Sequence, residues 1–302
     1  MTLPVSGEIS LAHINTEFGL SATLTRSLND ATTRALFGKA SGEISLLDGR
    51  GKSNAYPGQI LTFDGQSLSS PRVTLSGSTG FSAAVAGSTA IVGGRISELH
   101  IICWGAGGAG STWPSSAAGG NGGAGYRASW LRSSGGAVAA FLDSIATLTG
   151  AAGNGGTSYG SGIADNRQAG GAGGTSYVNI NGTRIVTAKG GNGSRNIYNN
   201  GDANYVYPTV TSYVGDNGGA GAPESSSGGS AATYGGGGGA SSPSASFGAS
   251  TYGGRGGSRA NGGAPGYAPG GGGGGYDTGS GGNYPRGGIG RVTIYINTPA
   301  PF

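Results

Sequence analysis

Gly119-Gly120-Asn121-Gly122-Gly123, Gly170-Gly171-Ala172-Gly173-Gly174 and Gly253-Gly254-Arg255-Gly256-Gly257 are three copies of one pattern, glycine doublets repeating every third residue. A flexible linker has no reason to prefer a period of three, whereas an extended left-handed helix with three residues per turn sets every third residue on the same edge. Glycine lets such helices approach closely. Their N–H and C=O groups find no partner within the helix, and bonding them to neighbours in a hexagonal bundle meets the requirement that buried backbone groups be paired. Collagen shares the steric logic but needs uninterrupted Gly-X-Y and much proline, and here the doublets are broken and only 12 prolines occur. The period predicts a glycine sandwich of polyglycine-II-like form.

The pattern sits in an uneven background. Of 70 glycines in 302 residues, 13 fall in residues 1–104 and 57 in residues 105–290, which marks a boundary. Fixing a residue costs about 1–2 kcal/mol and glycine loses the most freedom, so composition alone leaves a disordered Gly/Ser tract open. Two features weigh toward order. Twelve tyrosines lie within 105–290, often beside glycine pairs, and strand-like sequence resumes at Arg291 to Ile296. A strand at that end needs a partner, and Leu99 to Trp104 is the natural one.

Between Tyr56 and Trp104 the chain alternates in short apolar stretches, Ile60 to Phe63, Arg72 to Leu75, Phe81 to Val85, Ala90 to Val92 and Leu99 to Trp104. These are strand signals, separated by turn residues such as Asp64-Gly65. Leu99, Ile101 and Cys103 share one face; His100, Ile102 and Trp104 share the other. Within the glycine region apolar stretches recur at Ala137 to Leu148, and at Tyr177 to Ile180 with Arg184 to Thr187, where Asn181-Gly182 predicts a hairpin. The fold class is mainly β, with residues 1–53 a small N-terminal module, 54–98 a β-rich connecting segment and 99–302 a glycine-rich distal domain closed by strand 291–296.

The N-terminal module carries a direct repeat, Ser6-Gly7-Glu8-Ile9-Ser10-Leu11 and Ser41-Gly42-Glu43-Ile44-Ser45-Leu46. Between the copies Ser27, Asn29 or Asp30 can cap a helix over 31–37, with Gly38 where it stops. Some fifty residues with few aromatics bury too little for independent stability, so the module is expected to lie against other subunits or another protein.

Several chemistries are weakly represented. Seventeen basic and 13 acidic side chains leave a net charge of +4, too thin a field to draw nucleic acid by charge alone. A single cysteine, Cys103, with His13 and His100 builds no closed zinc site, and neither metal nor cofactor is expected. No run of about 18 apolar residues suggests membrane insertion, and Glu8 and Glu17 interrupt any secretory pattern at the start. Gly105-Ala106-Gly107-Gly108-Ala109-Gly110 matches a dinucleotide fingerprint after a strand, but residues 111–119 do not read as a helix and no ribose-binding acid stands in 124–134. Residues 46–53 end like a phosphate loop without its first glycine. His13 and His100 lack a G-x-S-x-G partner, and carboxylates are sparse, so no enzyme is expected. Cys103 reads as a small buried apolar residue.

The opening Pro4 to Gly19, then Ser27 to Gly38, then Gly42 to Ser53, in that order, resemble the N-terminal module of tailed-bacteriophage virion proteins; Gly49-Arg50 stands where that pattern has an aromatic. Ile101 to Gly108, Gly155-Gly156-Thr157-Ser158-Tyr159 with its near copy Gly173 to Tyr177, and Gly287 to Ile296 resemble the glycine-rich domain of phage tail fibres and adhesins. The resemblance implies a virion fibre or adhesin assembled in the host cytoplasm, without catalysis and often homotrimeric. Its partners would be other phage structural proteins and, at a distal tip, a bacterial surface glycan or outer-membrane protein. Ile9, Leu11, Ile14, Phe18, Leu36, Phe37, Ile44 and Leu46 are then the candidate attachment residues. Aromatic rings beside small polar residues suit sugar faces, which makes Tyr198, Tyr205, Tyr207 and Tyr213 the first candidate receptor contacts and Trp113 the second, against the alternative that such rings pack over glycine backbone. An architectural collar, head-fibre or decoration protein without a receptor is the second reading. An ice-binding protein would need strict period three and flat faces, against which the broken repeats argue.

Overall fold

The computed structural model describes residues 3–18, 21–52, 59–65, 81–83, 96–111, 118–145, 148–157, 170–193, 211–222, 228–241, 246–258, 264–274 and 286–301. Among the described residues nine strands, β1 (Gln59–Asp64), β2 (Phe81–Ala83), β3 (Glu98–Trp104), β4 (Gly125–Leu131), β5 (Leu148–Ala151), β6 (Ser176–Ile180), β7 (Thr183–Ala188), β8 (Ser212–Asp216) and β9 (Arg291–Ile296), outweigh three short α-helices, α1 (Leu11–Glu17), α2 (Ala31–Phe37) and α3 (Gly136–Ser144). The chain is mainly β. The expected stretches Arg72 to Leu75 and Ala90 to Val92 lie outside the described residues.

In the N-terminal module the sequence repeat is a conformational repeat. Gly7 and Gly42 share a φ of 82°, and Ser10 and Ser45 are extended caps, each in a capping box. Ser10 opens α1, a helix without sequence forewarning because the reciprocal partner is His13, whose Nδ1 accepts the Ser10 N–H, rather than the usual Glu or Gln. Helix α2 spans the expected 31–37 and ends at Gly38 in the left-handed region, φ 72°. Asp30 makes no capping bond; its carboxylate instead takes the Arg26 guanidinium at 2.7 Å. Arg26 also donates to Asn15, Thr32 and Thr33 and lies over the Phe18 ring, tying α1 to α2.

Two antiparallel sheets make up the body, in the orders β1-β9-β3-β4-β8 and β2-β5-β6-β7. The expected pairing of the last strand holds: Leu99 faces Ile296 and Ile101 faces Ile294. Strand β1, from the stretch read as a connecting segment, pairs along the other side of β9, Gln59 opposite Ile296. Leu99, Ile101 and Cys103, with Val292 and Ile294, meet Val178, Ile180 and Val186 of the second sheet in one apolar core. His100, Ile102 and Trp104 are buried as well, so β3 is covered on both faces. Asn181 and Gly182 turn from β6 to β7 with φ of 49° and 79°, the positive pair of a type I′ hairpin. The stretch Ala137 to Leu148 is mostly helix α3. Alanines favour it, and Val138, Phe141 and Leu142, at i, i+3 and i+4, bury one stripe with Phe141 5.4 Å from Trp130.

Where β3 ends, the backbone hydrogen bonds change pattern. Gly105, Gly108 and Ser111 donate to Ala124, Asn121 and Ala118; Ala106 and Ala109 donate to Gly174 and Gly171; Gly107 donates to Gly288. Successive N–H groups thus point to three neighbours in rotation and return every third residue. Stretch 118–124 does the same, Gly119 and Gly122 to Ala222 and Gly219, Gly120 and Gly123 to Gly273 and Gly270, Asn121 and Ala124 to Asn192 and Lys189. Stretches 235–241 and 270–274 each exchange bonds with six neighbouring stretches among the described residues; for 235–241 these are 118–124, 217–222, 228–232, 246–250, 253–258 and 270–274.

Close approach, more than backbone freedom, requires the glycines. Of those in this lattice only Gly270 lies at positive φ. A methyl group built on Gly122 or on Gly238 would overlap the carbonyl of Gly236 or of Ala220. The uninterrupted glycines 235–239 and 270–274 lie where neighbours close every side, whereas Ala172 and Arg255, the third members of their doublets, are exposed. Side chains fasten the lattice to the sheets. Ser176 Oγ donates to the Trp104 carbonyl at 2.5 Å and accepts the Gly153 N–H, and the Asp216 carboxylate accepts the N–H groups of Thr233, Tyr234 and Gly235.

Candidate functional site

Neighbouring stretches of the lattice run antiparallel, as 105–111 against 118–124, or parallel, as 217–222 beside 235–241, and their register sorts its two ends. Residues 105, 124, 217 and 290 adjoin the strands of the five-stranded sheet. At the opposite end Ser111 bonds Ala118, Gly171 bonds Thr157, Gly119 bonds Ala222 and Ala264 bonds Ser258, while Gly274 bonds Ala264. The stretches that close at this far end are those bounding 112–117, 158–169, 223–227, 259–263 and 275–285, whose structure lies outside the described residues. Near the sheet the connections are short, such as Thr233 and Tyr234, where Tyr252 N–H bonds the Thr233 carbonyl. The described stretches on either side of those intervals therefore end away from the sheets.

Of the candidate receptor contacts, Trp113, Tyr198, Tyr205 and Tyr207 lie outside the described residues. Tyr213 is on β8, 37 % exposed, with one ring face stacked on Tyr126 at 5.4 Å; Tyr126 in turn donates to Asn217 at 2.8 Å. It packs on β8, the edge strand of the five-stranded sheet.

Most candidate attachment residues turn inward. Ile9, Ile14 and Phe37 form a core with Leu3, against which Phe18, Leu36, Ile44 and Leu46 are partly buried. The module has a small core of its own, and among the described residues its exposed large apolar side chains are Leu11 together with Val5, Leu24 and Leu47. A Cβ at Gly49 would stand 2.5 Å from the Phe37 ring, so the close approach of that ring leaves no room for a side chain there.

Other reactive-looking groups are committed or enclosed. His100 Nδ1 lies 2.8 Å from Ser129 Oγ and its Nε2 3.4 Å from Glu98, a serine, histidine and carboxylate in series. Ser129 is 2 % exposed, so its oxygen is closed to a substrate. Burial pushes the His100 pKa below its ordinary value; Glu98 opposes this and the Arg127 charge adds to it. Burial pushes the Cys103 thiol far above the usual range, which leaves it unreactive. The N–H groups of 105–109, the fingerprint-like turn, all donate to carbonyls of neighbouring stretches. Among the described residues no group of three His, Cys, Asp or Glu could hold a metal ion, and no helix is long and apolar enough to cross a membrane.

One cluster that does face solvent has no signature in the sequence. Arg255 Cζ lies 4.8 Å from the centroid of Phe247 and 4.2 Å from that of Tyr267, and Tyr252, one three-residue turn earlier, stacks on Tyr234 at 5.4 Å. Phe247 and Tyr267 are eight and twelve residues from Arg255 and meet it only through lattice register. Compared with known proteins, the chain matches no family model, and no curated protein matches it.

Proposed function

We propose that the chain is a structural fibre or tail-tip protein of a tailed bacteriophage, anchored to the virion by its N-terminal module and holding out its glycine-rich domain for multivalent attachment to the host surface. In its finer form the fold reading is a polyglycine-II-like sandwich, supported by hydrogen bonds that rotate among three neighbours and return every third residue. The observation that carries the function is a backbone-bonded lattice whose described stretches end together away from the sheets, so that the sequence between them is attached at one end. Such a frame tolerates variable loops because its cohesion comes from peptide groups within the stretches, and loops on a rigid scaffold are where binding residues concentrate. Several copies on one particle, in a homotrimer or as repeated fibres, convert weak single contacts into lasting attachment.

Purified chain should bind host cells and be displaced by isolated cell-surface polysaccharide or outer-membrane protein, and deletion of 1–53 should give a soluble domain that no longer joins particles. Normal incorporation of that truncation would remove the attachment role. Absence of cell binding would favour the architectural reading, a collar, head-fibre or decoration protein, which Tyr213 supports by being spent on packing against Tyr126.

A further inference from the structure

On one lateral face of the lattice three adjacent outer stretches bring Phe247, Arg255 and Tyr267 side by side. Gly256 N–H bonds the Gly248 carbonyl and Tyr267 N–H bonds the Arg255 carbonyl, which fixes their register. The guanidinium lies between the two rings, at 4.8 and 4.2 Å from their centroids. Ring faces attract the cation and hold it in place. Its edge, with the N–H donors in a planar fork, makes no hydrogen bond or ion pair among the described residues. No Asp or Glu occurs in 246–258, 264–274 or 286–290, so the fork has no competing carboxylate on these stretches.

We propose that this face is a binding site for an acidic saccharide, with Arg255 gripping a carboxylate or phosphate group and the neighbouring rings stacking on sugar. A guanidinium fork matches both oxyanions in bidentate fashion, and one already held by stacking loses little freedom on binding. Tyr267 is 49 % and Tyr252 38 % exposed, with Tyr252 one helical turn, about 9 Å, from Arg255 along its stretch. The partly negative face of an aromatic ring attracts the C–H side of a pyranose. An extended saccharide therefore finds an anion grip and a ring platform in line. The inference goes beyond the attachment reading and does not rest on it, because this face is lateral to the lattice rather than at its end away from the sheets.

The test is calorimetric titration of the full chain with trigalacturonate and its neutral methyl ester, with glucose 6-phosphate and glucose, and with hexaglutamate. At least one acidic sugar should bind about tenfold or more tightly than its neutral counterpart, and the two pairs separate carboxylate from phosphate. Arg255→Ala should abolish that preference, and Arg255→Lys should lose most of it because the ammonium keeps charge without the fork. Both side chains project from the lattice, so melting of the variants should match the parent, which separates lost binding from lost fold. Tyr252→Ala should weaken trigalacturonate while leaving glucose 6-phosphate unchanged. Equal binding of acidic and neutral sugars, no binding of either, an unchanged preference in Arg255→Ala, or hexaglutamate binding as tightly as the acidic sugars would each overturn the proposal.

Discussion

The two-sheet body and the glycine lattice adjoin one another and are held together by opposite means. In the body, Leu99, Ile101, Val178, Val186 and Ile294 are fully or almost fully buried, and cohesion comes from apolar side chains removed from water. In the lattice the buried residues of 235–239 have no side chains, and each N–H from Gly236 to Gly239 meets a carbonyl of a neighbouring stretch. The difference shows that close packing can be reached from either direction. Side chains fill a space between sheets about 10 Å apart, whereas removing them lets backbones come near enough to bond on every side.

The sharpest way to break that comparison is to give the lattice a side chain. Gly238→Val or Gly122→Val would drive methyl groups into carbonyls of Ala220 or Gly236, and no flexible group is there to move. Overpacking costs about 1–3 kcal/mol even where side chains can shift, so a cost above that, with loss of a cooperative melt, is expected. Ala172→Val, on an exposed third position, should change the melting temperature little. Equal tolerance at Gly122, Gly238 and Ala172 would show that the lattice does not hold.

A middle-sized effect belongs to the body. Ile101→Ala, at a site with no exposure between facing sheets, should cost about 2–5 kcal/mol in urea unfolding through lost transfer energy and a cavity. It should leave amide protection in 105–124 above that of a random coil if the lattice keeps its own bonds.

The smallest effect is a pH dependence confined to the sheet. His100 has a folded pKa below its ordinary value because burial outweighs the neighbouring Glu98, so the unfolded chain binds the proton more readily. Its contribution is complete above the ordinary pKa near 6.5 and is lost as pH falls from there through the lowered value. One proton limits the slope to about 1.4 kcal/mol per pH unit. Urea midpoints between about pH 5 and 8 should fall on the acid side for the parent and fall less for His100→Asn, which removes the titrating ring.

How much of this was legible follows the same division. The glycine doublets announced their period of three, and Ala172 and Arg255 occupy the exposed edge that period leaves. Asn121, in the equivalent place, is buried, and its amide oxygen accepts the Gly221 N–H; the sequence could not show that this copy lies inside. The partnership of Leu99 to Trp104 with the last strand was readable because an apolar terminal strand needs a neighbour. Helix α1 was not, since its cap relies on His13, and Ala137 to Leu148 concealed a helix among short apolar runs. The grip on Arg255 was invisible because it depends on which stretches lie next to one another, a property of register rather than of local sequence. Among the proposed contacts, only Tyr213 falls within the described residues, and its ring is engaged with Tyr126.

The scarcity of side chains in 235–239 and 270–274 also bears on temperature. Exposing peptide groups lowers heat capacity while exposing hydrocarbon raises it, so melting these stretches changes heat capacity far less per residue than melting the sheets. Their stability curve is correspondingly shallow, and this portion of the molecule keeps its shape on cooling, where an oil-like interior would be losing its hold.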